Sequence, residues 1–298
     1  PFLDEETQTL YHIDTVKPII YSYNPTTGSH HSVDVVSEKP GNPQVQTTFV
    51  IKIKGEKDKF LISDNKRLAI IKWDGVSSEP ITTEHFVDVE TEPKASFCDG
   101  KCDPSNRLWA GTIGPIPTDA PFVEMEREKA SLYSFEGNIV KKQLSKITVS
   151  NGLTWSPDKT KFYYIDTLKF RIDSYDYDDT TGSISNEKTI FCFKKNEVDG
   201  LPDGMTIDQE GKIWVACVLG GQILRIDPNT GEILRTVKIP SPCTTSVAFG
   251  GPNYEDLYIT TGKIKFTKEM EEKYPFAGCT FRVTGLGVRG VPSLPVQL

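Results

Sequence analysis

Short apolar runs that alternate with polar residues recur along this chain, and turn residues separate them. Lys161 to Asp166 is one such run, and Arg171 to Tyr177 alternates with a period of two before a turn from Asp179 to Gly182. Asp or Asn close to glycine at such a boundary is typical of a tight hairpin. The pattern therefore predicts antiparallel β-structure. Helix is expected only from Thr267 to Tyr274, as one or two charged turns.

An apolar or aromatic pair of residues recurs along the chain at intervals of 44 to 54 residues. The pairs are Leu10-Tyr11, Phe60-Leu61, Leu108-Trp109, Phe162-Tyr163, Ile213-Trp214 and Leu257-Tyr258. Repeats of this length, with about four strands each, are typical of the blades of a β-propeller. The sequence predicts an all-β, six-bladed β-propeller in which residues 1–298 form a single domain. Because Pro1 falls almost directly before the first inner strand, we expect a short N-terminal segment to be lacking.

Three steps of an acidic or amide residue followed by glycine accompany the central repeats. They are Asp99-Gly100, Asn151-Gly152 and Asp203-Gly204, and they are spaced 52 residues apart. We expect them in loops that lead into the innermost strands, where glycine permits a backbone turn. Carboxylate and amide oxygens gathered on one axis suit a hard cation, Ca²⁺ first, with Mg²⁺ or Mn²⁺ as alternatives. The competing interpretation is that each residue caps its own loop in an Asx-turn.

Composition and missing motifs limit the classes of partner and the cellular location that we expect for this protein. A net charge of -7 argues against nucleic acid, because phosphate contacts need a basic patch. No stretch approaches the ~18 apolar residues of a membrane helix, and no leader segment is visible. The chain also lacks a Gly-x-Ser-x-Gly step and a glycine-rich phosphate loop. We expect a cytoplasmic monomer that acts on a small molecule and contacts neither nucleic acid nor membrane.

The cysteines are too sparse for a disulfide scaffold, since only six occur in 298 residues. Cys98 and Cys102 are close enough in sequence to bridge or to bind a metal. No second Cys/His pair completes a zinc set, so Zn²⁺ comes last among the candidate ions.

Three segments have a distinctive order of residues. Residues 150–156 read Ser-Asn-Gly-Leu-Thr-Trp-Ser, residues 202–205 read Pro-Asp-Gly-Met, and residues 283–290 read Val-Thr-Gly-Leu-Gly-Val-Arg-Gly. They resemble the senescence-marker/gluconolactonase/luciferin-regenerating family, and the resemblance covers nearly the whole chain. It implies a six-bladed propeller with a divalent metal on its axis. Asn151 and Asp203 would be metal ligands, Asp203 also the general base, and Asp99 a neighbouring acid, while the family's Glu would lie just before Pro1.

The family's sugar-binding positions differ in this chain. The sugar-lactone branch has Arg-x-Asn-Asp-Gly where residues 96–100 read Ser-Phe-Cys-Asp-Gly, and Ile116 replaces a further acid. Small or apolar groups lose their hold on polyols. The resemblance therefore implies substrate contacts at Ser96, Cys98, Asp99 and Ile116, with a more apolar ester, lactone or heterocycle than gluconolactone as the substrate.

Two functions follow from these residues. The leading one is a divalent-metal-dependent hydrolase of the lactonase type, with luciferin-regenerating-type chemistry as its sharpest version. The alternative is a non-catalytic propeller that binds calcium or another ligand, because the groups that contact sugars are replaced.

Overall fold

The computed structural model describes residues 1–38, 45–89, 92–117 and 121–298. Over these residues the protein is a six-bladed β-propeller, built almost entirely from strands in six sheets. The all-β fold class and the number of blades expected from the repeats are confirmed. The chain divides into two compact units, Pro1–Ser150 with Ser293–Leu298, and Asn151–Pro292.

The first unit holds three sheets in the part of the chain that is described. Their strands, in spatial order, are β1 (Phe2–Asp4), β2 (Thr9–Asp14), β3 (Ile19–Tyr23), β4 (His30–Val36) and β8 (Ile81–Thr82); β5 (Val50–Lys52), β6 (Lys59–Asp64), β7 (Arg67–Lys72) and β9 (Glu84–Asp88); and β10 (Ser96–Cys102), β11 (Leu108–Ile113), β12 (Ala130–Glu136) and β13 (Ile139–Ile147). Neighbouring strands are antiparallel, except that β8 runs parallel to β4. A short 3-10 helix, Phe122–Glu124, follows β11.

The second unit repeats this organisation with two four-stranded sheets and one three-stranded sheet. Its strands are β14 (Ser150–Trp155), β15 (Lys161–Asp166), β16 (Arg171–Asp178) and β17 (Ser183–Cys192); β18 (Leu201–Ile207), β19 (Ile213–Val218), β20 (Gln222–Ile226) and β21 (Ile233–Lys238); and β22 (Thr244–Gly250), β23 (Asp256–Thr261) and β24 (Thr280–Val283). A 3-10 helix, Thr167–Lys169, follows β15.

The expected helix is confirmed as α1 (Lys268–Lys273). It begins where the Thr267 hydroxyl accepts a hydrogen bond from the Met270 backbone N–H at 3.2 Å, which is an N-cap. No helix among the described residues is long and apolar enough to cross a membrane.

The Asx-Gly steps lie inside strands, which corrects the expectation that they occupy loops. Asp99, Asn151 and Asp203 belong to β10, β14 and β18, the first strands of their sheets. The apolar pairs of the repeat belong to the second strands. Two of the steps coincide with breaks in strand register, between Phe97 and Asp99 and between Pro202 and Met205. Such bulges change the direction of a side chain without ending the strand.

A buried aspartate anchors the turn between the first two strands in two of the sheets. Asp103 accepts a hydrogen bond from the Trp109 indole at 3.0 Å, and Asp208 accepts one from Trp214 at 2.9 Å. The Arg225 guanidinium also donates to Asp208, at 2.8 Å. Both carboxylates are fully buried, so these partners are what make their desolvation tolerable.

The segment after β24 packs within the second unit through glycine. A Cβ at Gly290 would lie 2.0 Å from Cγ of Phe249. That ring is buried and stands edge-on to Trp214, with 5.6 Å between ring centroids. Phe249 therefore cannot move aside without disturbing a packed tryptophan.

We expect Gly290→Ala to lower the free energy of unfolding by about 1–3 kcal/mol, the usual cost of overpacking a core. Urea denaturation measures it. Gly262→Ala is the matched control, because a Cβ there would meet only Thr245 Cγ2, at 3.8 Å. Equal stability of the two variants would contradict the close packing at Gly290.

Candidate metal centre

β14, which carries Asn151, and β18, which carries Asp203, approach each other closely at Gly152. A Cβ at Gly152 would lie 2.7 Å from the main-chain oxygen of Asp203 and 2.9 Å from Cδ1 of Ile165. Gly204 has the same relation to the next sheet, where a Cβ would meet Ser246 Oγ at 2.3 Å. Glycine is required at both positions because a neighbouring strand occupies the space of a side chain. Neither glycine has the positive φ that a turn would demand.

The Asn151 side chain is held by a hydrogen bond to the 3-10 turn that follows β15. Its Nδ2 donates to Thr167 Oγ1 at 2.7 Å, and both side chains are buried. Asp203 is half-buried on the neighbouring β18. The second unit thus presents one amide and one carboxylate on adjacent, tightly packed strands.

These two donors fit a hard divalent cation. Ca²⁺ accepts carboxylate and amide oxygens and completes its shell with waters or carbonyls, whereas zinc prefers nitrogen and sulfur ligands. Over the described ranges, no group of three or more His, Cys, Asp or Glu side chains is placed to hold a metal. Asn151 and Asp203 would therefore supply only part of a coordination shell.

The predicted substrate residues lie in the first unit. Ser96, Cys98 and Asp99 are half-buried on β10, and the break in register falls at Cys98. Desolvation raises the pKa of the Asp99 carboxyl, which accepts a hydrogen bond from the Gly100 N–H at 2.8 Å. Ile116 lies beyond the end of β11 and is 51% exposed. The structure thus groups three of the four on one strand, and their roles stay predictions.

The cysteines are thiols, and no disulfide forms among those in the described chain. Cys98 and Cys102, whose bridging the sequence left open, both lie on β10. Burial raises the pKa of the Cys102 thiol well above its usual value and that of Cys217 to about 12. These two thiols are therefore protonated and unreactive near neutral pH.

Lys101 lies beside the predicted substrate residues on β10, although the pattern of oxygen ligands in the sequence did not indicate it. It follows Asp99 by two positions on β10, and residues at that spacing share a face of a strand. Desolvation lowers the pKa of the Lys101 ammonium to about 8, while the charge of Asp99 opposes the shift. The signal in the sequence was a lysine directly after an Asp-Gly step. Thr167 was missed for a different reason, since one threonine after a strand has no distinguishing pattern.

The sequence matches the family described as SMP-30/Gluconolactonase/LRE-like region over residues 1–263. The chain belongs to this family. It is 43% identical over 237 residues to regucalcin of Danio rerio, covering 78% of this chain and 75% of that protein. It is 36% identical over 292 residues to regucalcin of Xenopus laevis, covering 98% of this chain and 91% of that protein.

Solved structures are also similar to this chain. A luciferin-regenerating enzyme superposes with a TM-score of 0.90 at 41% identity, covering 100% of this chain and 94% of that one. A calcium-binding protein, regucalcin, from Agrobacterium tumefaciens superposes with a TM-score of 0.85, covering 100% of this chain and 92% of that one. Its identity is 23%, so it supports the fold alone.

Lys101 is expected to titrate near pH 8, well below the ordinary value of 10.5. Reductive methylation with ¹³C-formaldehyde followed by NMR measures this, and the resonance lost in Lys101→Arg gives the assignment. Asp99→Asn should move the midpoint below that of wild type, because the charge of Asp99 favours the protonated amine. A midpoint near 10.5, or one that Asp99→Asn leaves unchanged, would contradict the desolvated pair.

Proposed function

We propose that this protein is a divalent-metal-dependent hydrolase of the lactonase type that acts on a non-sugar ester, lactone or heterocycle. The observation that carries the proposal is the placement of Asn151 and Asp203 on adjacent strands that Gly152 allows to meet. Family membership supports the reaction class. Similarity to a luciferin-regenerating enzyme over the whole chain supports luciferin-regenerating-type chemistry as the finer version.

Asn151 and Asp203 would hold the cation, with Ca²⁺ first and Mg²⁺, Mn²⁺ or Zn²⁺ as alternatives. A bound divalent ion supplies Lewis-acid polarisation of the ester carbonyl. Asp203 would accept the proton of the attacking water as general base. Hydrolysis then breaks the bond between the acyl carbon and the ring oxygen, and the leaving alkoxide takes up a proton.

The substrate class follows from the groups on β10 and after β11. Ser96 and Cys98 are small side chains in half-buried positions, and Ile116 is an exposed apolar side chain. None of them carries the charge or the paired donors that hold sugar hydroxyls. We assign these residues, with Asp99, to contacts with a substrate that is more apolar than gluconolactone.

A non-catalytic role is the second candidate. It is supported by the curated relatives named regucalcin, one of which covers 98% of this chain. It is also supported by the replacement of the groups that contact sugars, which removes one argument for sugar-lactone activity. In that role the same centre would bind Ca²⁺ without turnover. In either role we place the protein in the cytoplasm as a monomer that binds a small molecule, and thiols at all six described cysteines agree with a reducing compartment.

Asp203→Asn is expected to lower kcat/KM at least about 100-fold on a panel of aromatic and aliphatic lactones, because a general base contributes 10²–10⁴-fold. Activity is measured with Ca²⁺ or Mn²⁺ and after chelation. Asp199→Asn is the matched control, since it replaces an exposed acid of the same unit. Unchanged turnover in Asp203→Asn would exclude this base, and calcium binding without turnover on any lactone would favour the non-catalytic role.

The doubly substituted Ser96→Arg/Cys98→Asn variant is expected to hydrolyse gluconolactone faster than wild type, because it restores groups that hydrogen-bond to sugar hydroxyls. A gain of about tenfold or more in kcat/KM, with a loss on apolar lactones, is the expected pattern. Cys192→Asn is the control for a half-buried cysteine of the other unit. No change in the ratio between the two substrate classes would contradict the assignment of β10 to substrate binding.

A further inference from the structure

The amide of Asn151 has two arms of opposite polarity, and only one of them can bind a cation. Nδ2 carries hydrogens with partial positive charge, and Oδ1 carries lone pairs. If the amide rotates about its Cβ–Cγ bond, the arm that faces a metal changes from a ligand to a repulsive group. The metal affinity of an Asn ligand therefore depends on whatever fixes this rotation.

Thr167 is placed to fix the rotation of the Asn151 amide. The 2.7 Å bond from Nδ2 to Thr167 Oγ1 is a contact between side chains that are 8% and 1% exposed. Water is thus a poor competitor for either group. The bond assigns the nitrogen arm of the amide to Thr167, so the oxygen arm is turned away from Thr167.

The position of the Thr167 hydroxyl is itself rigid. Thr167 follows directly after β15 and begins the 3-10 turn, in which Phe170 N–H donates to the Thr167 carbonyl oxygen at 3.1 Å. Phe170 is fastened in turn, because its carbonyl accepts from Phe193 N–H at 2.9 Å and its ring lies 3.8 Å from the Lys194 ammonium. A β-branched side chain also has little freedom at χ1.

We propose that Thr167 is a positioning residue for the metal centre, and that it turns Asn151 so that its carbonyl oxygen is the arm offered to the cation. The inference rests on the proposed metal-binding role of Asn151 and Asp203. It assigns to Thr167 no contact with the substrate or with the ion. Its effect reaches the centre through one hydrogen bond, as outer partners of metal ligands act in general.

The test is calcium binding measured by isothermal titration calorimetry on the whole chain. Thr167→Val keeps the shape of the side chain and removes the hydroxyl, and we expect the Kd for Ca²⁺ to rise about 10–100-fold. Thr167→Ser keeps the hydroxyl, so the hydrogen bond to Asn151 persists and the Kd for Ca²⁺ should remain within about threefold of the wild-type value. Thr167→Ala is a second hydroxyl-free variant should the valine variant fail to fold.

A second measurement separates positioning from stability. In an Asn151→Ala background, Thr167→Val should leave the Kd for Ca²⁺ unchanged, because residues that act through one interaction are not additive. A purely structural threonine would instead lower the thermal midpoint of the metal-free protein without changing the Kd. A wild-type Kd in Thr167→Val overturns the inference and leaves the proposed function standing. Absence of Ca²⁺ binding by wild type overturns both.

Discussion

Strands of neighbouring sheets approach one another at glycine so closely that no room is left for a side chain, and this packing constrains the rest of each unit. A Cβ at Gly111 would lie 1.8 Å from Ser150 Oγ, and those at Gly152 and Gly204 would meet the following strand at 2.7 and 2.3 Å. Each of these glycines permits contact between one sheet and the next along the chain. A methyl group at any of them would force these packed strands apart.

The close approach explains why the candidate metal centre is built on strands. A donor on a regular strand varies little in position, which suits a centre in which small displacements change affinity. The bulge between Pro202 and Met205 redirects side chains locally while the pairing of β18 with β19 continues on both sides. Thr167, directly after β15, accepts the hydrogen bond that we propose fixes the rotation of the Asn151 amide.

Buried polar groups serve two different ends in this protein. Asp103 and Asp208 are completely buried, but indole and guanidinium donors compensate them, so they act as anchors for turns. Asp99 and Lys101 are different, because desolvation raises the pKa of the Asp99 carboxyl and lowers that of the Lys101 ammonium. Both shifts favour the neutral side chain. A pair of ionisable side chains whose charged forms are disfavoured by desolvation is typical of a functional site.

Periodicity was sufficient to predict an all-β propeller of six repeats, the strand from Lys161 to Asp166 and the helix near Thr267, because these depend on local alternation and on turn chemistry. The same reasoning placed Asp99, Asn151 and Asp203 in loops, since glycine after Asx usually marks a turn. Only the folded chain shows that Gly152 and Gly204 make room for strands about 40–50 residues away. Residues such as Thr167 and Lys101 acquire meaning from neighbours in space, and no local pattern encodes those neighbours. The alternation and the turn residues that accompany strand pairing repeat along the sequence and can be recognised in it. The packing of one sheet on the next is decided by tertiary contacts.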